Sequence, residues 1–246
     1  MGIRDILIIT TPKDFIFFKT LLNTGKQFNI KIKFTIQKKP EGIFDALYLA
    51  KKFVGSSKCA VILGDNIFYG ADFTNYIKNL FSKLNNNIGI LLNRVNNPSE
   101  YGVAEISNNK ISKITEKPKK TKSNLAITGL YVFDKNVIKN LKKIKRGKNK
   151  EYQITDLLKI YLNKNQLTYE LLGRGMAWLD TGTHKNMLYA SQFMNIIEER
   201  QGIKISCPEE IAYRQGWISK NELKLLIKKY KNSSYSQYLT KIMNEK

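Results

Sequence analysis

Apolar runs of strand length alternate with segments of helical periodicity through the first third of the chain. The runs at 5–11, 30–37 and 60–64 are short, and the first and third carry no polar alternation. Residues 41–54 place apolar side chains at three- and four-residue spacing. Strands without alternation are typical of a parallel sheet that is buried on both faces, so the pattern predicts βαβ units with right-handed crossovers.

The middle of the chain is richer in strands. The apolar pattern predicts them at 88–95, 101–106, 110–116 and 125–134. Asn108–Asn109 separates the second from the third, and asparagine tolerates the left-handed backbone conformation of tight turns. We therefore expect a β-hairpin there.

The last third returns to helices after two short strands at 168–172 and 176–180. Thr183 is the predicted cap of an amphipathic helix, and further helices are expected at 208–216 and 219–230. The whole pattern predicts an α/β fold with a doubly wound, mostly parallel sheet. We place one catalytic-type domain at residues 1–200 and a helical C-terminal extension at residues 201–246.

Charge is the most unusual feature of the composition. The chain has 246 residues with 42 Lys and Arg against 20 Asp and Glu, which gives a net charge of +22. A basic protein attracts polyanions, but these lysines are dispersed among Asn and Ile, and only 117–122 and 141–150 are dense. We therefore interpret the charge as solvated loops and expect no nucleic-acid partner, although a basic nucleic-acid-binding protein remains an alternative.

Cysteine and histidine are too rare for several kinds of site. Cys59 and Cys207 lie far apart, and His184 is the single histidine. The chain therefore predicts neither a disulfide framework nor a metal site built from histidines. No apolar run approaches the ~18 residues of a membrane span, and we expect a soluble cytoplasmic protein with no membrane partner.

Two aspartates end predicted buried strands. Asp65 follows the run at 60–64, and Asp180 ends the run at 176–180. Ligands of open parallel sheets lie at the carboxyl ends of the strands, and paired carboxylates there commonly hold Mg²⁺ together with substrate phosphates. The alternative is that each aspartate caps the turn that follows it.

Glu116 and Lys117 follow the strand at 110–116. The glutamate can accept hydrogen bonds from sugar hydroxyls, and the lysine is a cation suited to phosphate. The alternative is an exposed turn before Pro118.

At this point the residues carry a specific resemblance. The strings "VILGDNIFYG", "EYGVAEI", "EKP", "AITGLY", "ITDLLKIY", "GRGMAWLDTGTH" and "IEERQGIKISCPEEIAYRQGWI" occur in the order of the glucose-1-phosphate thymidylyltransferase family. The likeness runs from Gly2 to the C-terminus. The chain is therefore identified as resembling this family, whose members are also called dTDP-glucose pyrophosphorylases.

The resemblance implies an enzyme with a nucleotidyltransferase-type, Rossmann-like sheet. Its reaction is the transfer of a nucleotidyl group from dTTP to α-D-glucose 1-phosphate, which yields dTDP-glucose and pyrophosphate with Mg²⁺ as cofactor. Such chemistry depends on positioning and charge stabilisation, without a covalent protein nucleophile. Family members commonly supply dTDP-rhamnose biosynthesis for polysaccharides and are usually tetrameric, so we expect a homo-oligomer.

Site residues follow from the resemblance motif by motif. Asp65 and Asp180 would hold Mg²⁺, with Asn66 shaping the site beside them. Gln37 would meet the thymine through its side chain, and Gly42 through a close backbone approach.

The sugar side of the site follows in the same way. Tyr101 and Gly102 would line the sugar site, Glu116 would bind glucose hydroxyls, and Lys117 would bind the glucose phosphate with a catalytic role. The remaining sugar contacts come from the backbone at Ile127 and Gly129 and from the Trp178 side chain, which would pack against the ring.

The sequence departs from the family in two places. In the family, "MGIRDILIITTP" follows an opening strand and a glycine-rich loop of the form G-x-G-T-R-L, which cradles nucleotide phosphates, and neither precedes it among these 246 residues. The family also has Arg-Gly-Glu before "ITDLLKIY", where this chain has Lys150 before Glu151 and only Arg146 as a candidate replacement. We therefore expect an N-terminally truncated domain that lacks its first sheet strand. A non-catalytic fragment that binds a sugar phosphate or joins an oligomer remains the alternative.

Overall fold

The longest strand in the described part of the chain lies in the middle of its largest sheet. A computed structural model of the chain describes residues 2–39, 42–141 and 153–245. Strand β8, Leu125–Phe133, is buried along its whole length because it has hydrogen-bonded strands on both sides. The other strands are β1 Asp5–Thr10, β2 Lys31–Ile36, β3 Cys59–Ile62, β4 Asn66–Tyr69, β5 Ile88–Arg94, β6 Gly102–Ser107, β7 Lys110–Glu116, β9 Leu167–Leu171 and β10 Ala177–Asp180.

Helices flank these strands and dominate the C-terminal part. They are α1 Phe15–Leu22, α2 Gly42–Leu49, α3 Lys51–Val54, α4 Phe73–Ser82, α5 Val137–Leu141, α6 Ile154–Leu162, α7 His184–Gln201, α8 Pro208–Arg214, α9 Lys220–Lys229 and α10 Ser234–Asn244. Thr183 accepts a hydrogen bond from the Asn186 N–H, as the predicted cap of α7 requires. Among the residues that the structure describes, no helix has the length and apolar character needed to cross a membrane. The α/β class and the helical C-terminal part are confirmed.

The largest sheet has the strand order β7-β6-β8-β5-β9, with β3 paired to β8, and it curls so that β7 approaches β9. Its pairing differs from the expected parallel arrangement: β5–β9 is its parallel pair, whereas the β3–β8, β5–β8, β6–β7 and β6–β8 pairs are antiparallel. For β6 and β7 the physical reason is the length of their connection. Asn108 and Asn109, both with positive φ, form the predicted hairpin turn, and so short a link permits only antiparallel neighbours.

The described chain divides into two compact units. One contains residues 37–186, and its core is the buried cluster Ile77, Leu80, Leu84, Leu91, Leu130, Val132 and Leu172. The other contains residues 2–36 and 187–245, where β1 pairs with β2 in parallel register. Its core is Phe28, Cys207, Ala212, Ile218, Leu223, Tyr238, Leu239 and Ile242. The predicted domain boundary at residue 200 stays a prediction.

Candidate functional site

Two short strands bring the predicted aspartates together. Strand β10 pairs antiparallel with β4, and Asp180 lies opposite Asn66 in the register. Asp65 precedes β4, so both aspartates lie at the same end of this two-stranded sheet. Thr181 fixes the junction, because its N–H and its hydroxyl both donate to the Asp65 carbonyl oxygen, at 2.8 and 2.9 Å.

The two carboxylates flank one small space beside Gly182. An ideal Cβ on Gly182 would lie 3.1 Å from Oδ1 of Asp180 and 3.7 Å from Oδ2 of Asp65. Oδ1 of Asp180 accepts a hydrogen bond from the Gly182 N–H at 3.0 Å. Because glycine has no side chain, the space between the carboxylates stays open.

Asn66 connects this acidic pair to the rest of the site. Its Nδ2 donates to Oδ1 of Asp65 at 2.7 Å, and its Oδ1 accepts from the Gly129 N–H at 2.9 Å and from Nε1 of Trp178 at 2.6 Å. A Cβ on Gly129 would lie 2.6 Å from the Asn66 side chain, so this close approach requires glycine. One amide thus fixes a carboxylate, the central strand and an indole ring.

Gly129 and Ile127 lie on β8. The Gly129 carbonyl accepts from the Leu63 N–H at 2.9 Å, so both polar backbone groups of Gly129 already have partners within the protein. Ile127 is buried. These contacts place the β8 backbone directly behind Asn66.

An aromatic pair stands next to the amide. The rings of Tyr101 and Trp178 lie with their centroids 5.1 Å apart, at an interplanar angle of 58°. Burial raises the pKa of the Tyr101 hydroxyl, and the negative charges of Asp180 and Glu100 raise it further. The Tyr101 hydroxyl therefore stays protonated at neutral pH and remains a hydrogen-bond donor.

Glu116 and Lys117 are held at the end of β7. Gly102 pairs with Glu116 in the β6–β7 register, and Oε2 of Glu116 accepts a hydrogen bond from Oγ1 of Thr155 at 2.9 Å. The Lys117 N–H donates to the Tyr101 carbonyl at 3.0 Å. Lys117 is exposed and has a φ of 38°, a left-handed conformation that costs free energy in any residue with a side chain.

Tyr131 shows that the two acidic groups belong to one neighbourhood. This tyrosine lies on β8, where burial raises the pKa of its hydroxyl, and the charges of Glu116 and Asp65 raise it further. Both carboxylates therefore act on the same buried side chain. The structure brings together the sequence-predicted residues Asp65, Asn66, Tyr101, Gly102, Glu116, Lys117, Ile127, Gly129, Trp178 and Asp180 through the contacts described above.

Gln37 and Gly42 form a second group. Nε2 of Gln37 donates to the Gly42 carbonyl at 3.2 Å and to Oδ2 of Asp45 at 3.3 Å. Gly42 has a φ of 82°, which favours glycine. Arg146, the candidate replacement for the family arginine, lies outside the described residues.

The donor set determines which metal could bind. In the described part of the chain, no group of three or more His, Cys, Asp and Glu side chains could enclose a metal ion. Asp65 and Asp180 offer carboxylate oxygens, and Mg²⁺ commonly binds through one or two carboxylates with waters and phosphates as its other ligands. The pair therefore fits a magnesium ion that is shared with a phosphate-bearing substrate.

Three contacting residues were missed by the sequence reasoning. Thr155 was not singled out from the sequence, although its hydroxyl donates a hydrogen bond to Glu116. Asp45 follows Gly42 at a spacing of three, which puts both on one turn of a helix and could have indicated their relation to Gln37. Thr181 carried no sequence signal beyond its place beside Asp180.

Comparisons with known proteins decide the family. The chain matches the family model described as nucleotidyl transferase over residues 1–196. A glucose-1-phosphate thymidylyltransferase of Neisseria meningitidis serogroup A is 38% identical over 99% of this chain and 85% of that protein. The chain belongs to the nucleotidyl transferase family.

Similarity to other proteins supports this family assignment. A glucose-1-phosphate thymidylyltransferase of Mycolicibacterium smegmatis is 41% identical over 99% of this chain and 84% of that protein. A crystal structure of a Bacillus anthracis protein assigned as a glucose-1-phosphate thymidylyltransferase superposes with a TM-score of 0.72, 37% identity and coverage of 77% of this chain and 76% of that one. The resemblance, the nucleotidyltransferase-type fold and the prediction of an enzyme are confirmed.

Proposed function

We propose that this nucleotidyltransferase transfers the thymidylyl group of dTTP to α-D-glucose 1-phosphate, with Mg²⁺ as its cofactor. The observation that carries the proposal is the pair of carboxylates, Asp65 and Asp180, which flank one open space beside Gly182. That space adjoins Trp178, which Asn66 links to Asp65. The names of the relatives support the choice of substrates.

The reaction requires alignment more than it requires a reactive side chain. A phosphate oxygen of glucose 1-phosphate attacks the α-phosphorus of dTTP in line. A new phosphorus–oxygen bond forms to the sugar phosphate, the bond to the oxygen that bridges the α- and β-phosphorus breaks, and pyrophosphate leaves with that oxygen. Fixed charges and donors lower the barrier to such a displacement because charge accumulates on the phosphate oxygens.

Asp65 and Asp180 would hold the metal ion. When it is bound, Mg²⁺ supplies positive charge that neutralises the triphosphate and the departing pyrophosphate. The protein's own contribution is to fix the carboxylates: Asn66 and Gly182 each donate to one oxygen of the pair, while Oδ2 of Asp65 faces the space beside Gly182.

The sugar phosphate would bind between the aromatic pair and the end of β7. Tyr101 and Trp178 offer apolar ring faces, and Glu116 accepts hydrogen bonds from sugar hydroxyls. The Thr155 hydroxyl already donates to Oε2 of Glu116, which orients that carboxylate. Lys117 supplies a cation for the phosphate, and its strained backbone holds the side chain at the end of the strand.

Product analysis tests the proposal. The chain is incubated with dTTP, glucose 1-phosphate and Mg²⁺, and ³¹P NMR follows the products. We expect dTDP-glucose and pyrophosphate in equal amounts, and a Michaelis constant for glucose 1-phosphate that rises about tenfold in Lys117→Ala. Lys119→Ala is the matched control, because Lys119 is an equally exposed lysine two residues away. A folded protein that binds glucose 1-phosphate without forming dTDP-glucose would refute the proposal.

A further inference from the structure

The side-chain amide of Gln37 lies between two groups that can only accept hydrogen bonds. The Gly42 carbonyl is 3.2 Å from Nε2 and Oδ2 of Asp45 is 3.3 Å from it. A carbonyl and a carboxylate offer no proton, so the NH₂ end of the amide must face them. Both N–H groups of Gln37 are used in this way, and its Oε1 is directed away from Gly42 and Asp45.

Helix α2 makes this orientation rigid. Gly42 is its first residue, and Asp45 lies in its first turn, where the N-terminal end of a helix favours negative charge. Phe44 and Leu47 of the same helix are buried, with 5% and 2% of their surface exposed, and they anchor α2 in the core. Asp45 therefore approaches Gln37 from a fixed element.

We propose that Asp45 is a positioning residue that selects the base of the nucleotide, by holding Gln37 so that it presents only an acceptor. This inference rests on the proposed function, in which Gln37 meets the base. Thymine and uracil carry a hydrogen on ring nitrogen N3 and can donate to Oε1. Cytosine has a lone pair at N3, so its N3 and Oε1 of Gln37 would be two acceptors facing each other.

The discrimination comes from an unpaired polar group. A site that is built to accept a hydrogen bond rejects a ligand that lacks the donor, because the desolvated acceptor is then left without a partner. Without Asp45, only the Gly42 carbonyl would oppose a half-turn rotation of the Gln37 amide that offers its NH₂ to cytosine N3. Asp45 raises the free energy of that second orientation, since it would place Oε1 of Gln37 against a carboxylate oxygen.

Equilibrium binding of dTTP, dUTP and dCTP, measured by isothermal titration, tests this role without requiring turnover. Binding of dUTP distinguishes the effect of the N3 hydrogen from that of the thymine methyl group, because uracil has the hydrogen and lacks the methyl group. We expect wild-type protein to bind dTTP and dUTP more tightly than dCTP. In Asp45→Leu the ratio of dTTP to dCTP affinity falls about tenfold. Asp45→Glu keeps a carboxylate, which can only accept hydrogen bonds, and it retains the ratio within about threefold.

A double-mutant cycle protects the test against a general loss of structure. Gln37→Leu lowers the same ratio, and adding Asp45→Leu to it changes the ratio no further if the aspartate acts through the glutamine. Thermal unfolding checks that each variant is folded.

The outcomes separate the two proposals. An unchanged ratio in Asp45→Leu overturns the positioning role, and so does an equal fall in Asp45→Glu or the absence of any nucleotide binding. Selective binding without formation of dTDP-glucose refutes the proposed function and leaves the role of Asp45 supported.

Discussion

Oδ1 of Asn66 accepts a hydrogen bond from the indole Nε1 of Trp178, with 2.6 Å between the two atoms. The same oxygen accepts from Gly129, and the NH₂ group of that amide donates to Asp65. The carboxylate proposed to bind the metal and the ring proposed to pack against the sugar are thus held by one side chain. Asn66 therefore organises the site from within.

Replacing Asn66 should reduce activity more than stability. Asn66→Asp keeps an oxygen for Trp178 and Gly129, but it places a second carboxylate oxygen against Asp65, so the acidic pair shifts. We expect kcat to fall about 100-fold, because misplacement by about 1 Å can cost that much. Steady-state kinetics and urea unfolding measure the two effects.

Fluorescence provides a readout of the same contact. The chain has two tryptophans, and Trp217→Phe leaves Trp178 as the single indole. In that background Asn66→Ala should shift the Trp178 emission, whereas Asn75→Ala, at an exposed asparagine, should not. Unchanged emission and kcat in the Asn66 variants would contradict the role given to this amide.

Two substitutions at Lys117, which has a left-handed backbone conformation, distinguish the effect of backbone strain from the effect of losing the charge. Glycine adopts a φ of 38° without steric cost, so Lys117→Gly should be more stable than Lys117→Ala by about 1 kcal/mol, although both variants lose the cation and the same activity. Urea unfolding measures the difference. At Lys119, which is not among the positive-φ residues, the alanine variant should be the more stable one. If the alanine variant were more stable than the glycine variant at both positions, the backbone at Lys117 would not be strained.

The buried carboxylate of Glu209 links the C-terminal helices through hydrogen bonds. Glu209 is 1% exposed and accepts hydrogen bonds from the hydroxyls of Tyr230 and Tyr235, at 2.7 and 2.6 Å. Glu209→Ala should lower the free energy of unfolding by about 3 kcal/mol, since two hydrogen bonds to a buried carboxylate are lost. Glu199→Ala, at an exposed glutamate on α7, should change it by less than about 0.5 kcal/mol. Equal effects in urea unfolding would contradict this account.

Burial raises the pKa of the Cys59 thiol from 9.0 to about 11, with a further contribution from the charge of Asp134. At pH 9 an unfolded chain ionises about half of this thiol and the folded chain about 1%. The raised pKa therefore contributes stability below pH 9, and this contribution is lost as the pH rises from 9 towards 11. In Cys207→Ala, which leaves one thiol, the rate of reaction with a disulfide reagent should climb towards pH 11. Rapid reaction of folded protein at pH 8 would be the contrary result.

Local patterns predicted much of the fold because many strands and helices carry their own signal. The run at 125–134 became the buried strand β8, and the Asn108–Asn109 turn has the conformation expected of that pair. Strand β4 was missed, because its four residues directly follow Asp65 and end at a glycine, so no periodicity develops. Apart from the predicted β6–β7 hairpin, the antiparallel pairing was missed because it depends on partners far apart along the chain.

The same distinction between local sequence signals and long-range contacts applies to the candidate site. The positions of Asp65 and Asp180 at the ends of strands favoured a role in ligand binding, and that role stays a prediction. Their proximity depends on the β4–β10 pairing, which joins residues more than 100 positions apart, and no local pattern encodes it. The orientation of the Gln37 amide depends on two contacts, 3.2 Å to the Gly42 carbonyl and 3.3 Å to Oδ2 of Asp45, and no sequence pattern specifies them.

The most direct test of the central claim is Mg²⁺-dependent release of pyrophosphate from dTTP and glucose 1-phosphate by wild type, Asp65→Asn and Asp180→Asn. Asp72→Asn is the matched control, since Asp72 is an exposed aspartate of the same unit, seven residues from Asp65. The account predicts release by wild type and Asp72→Asn, and a fall of at least about 100-fold in both other variants. Folded wild-type protein that releases no pyrophosphate, or variants of Asp65 and Asp180 that match the control, would contradict it.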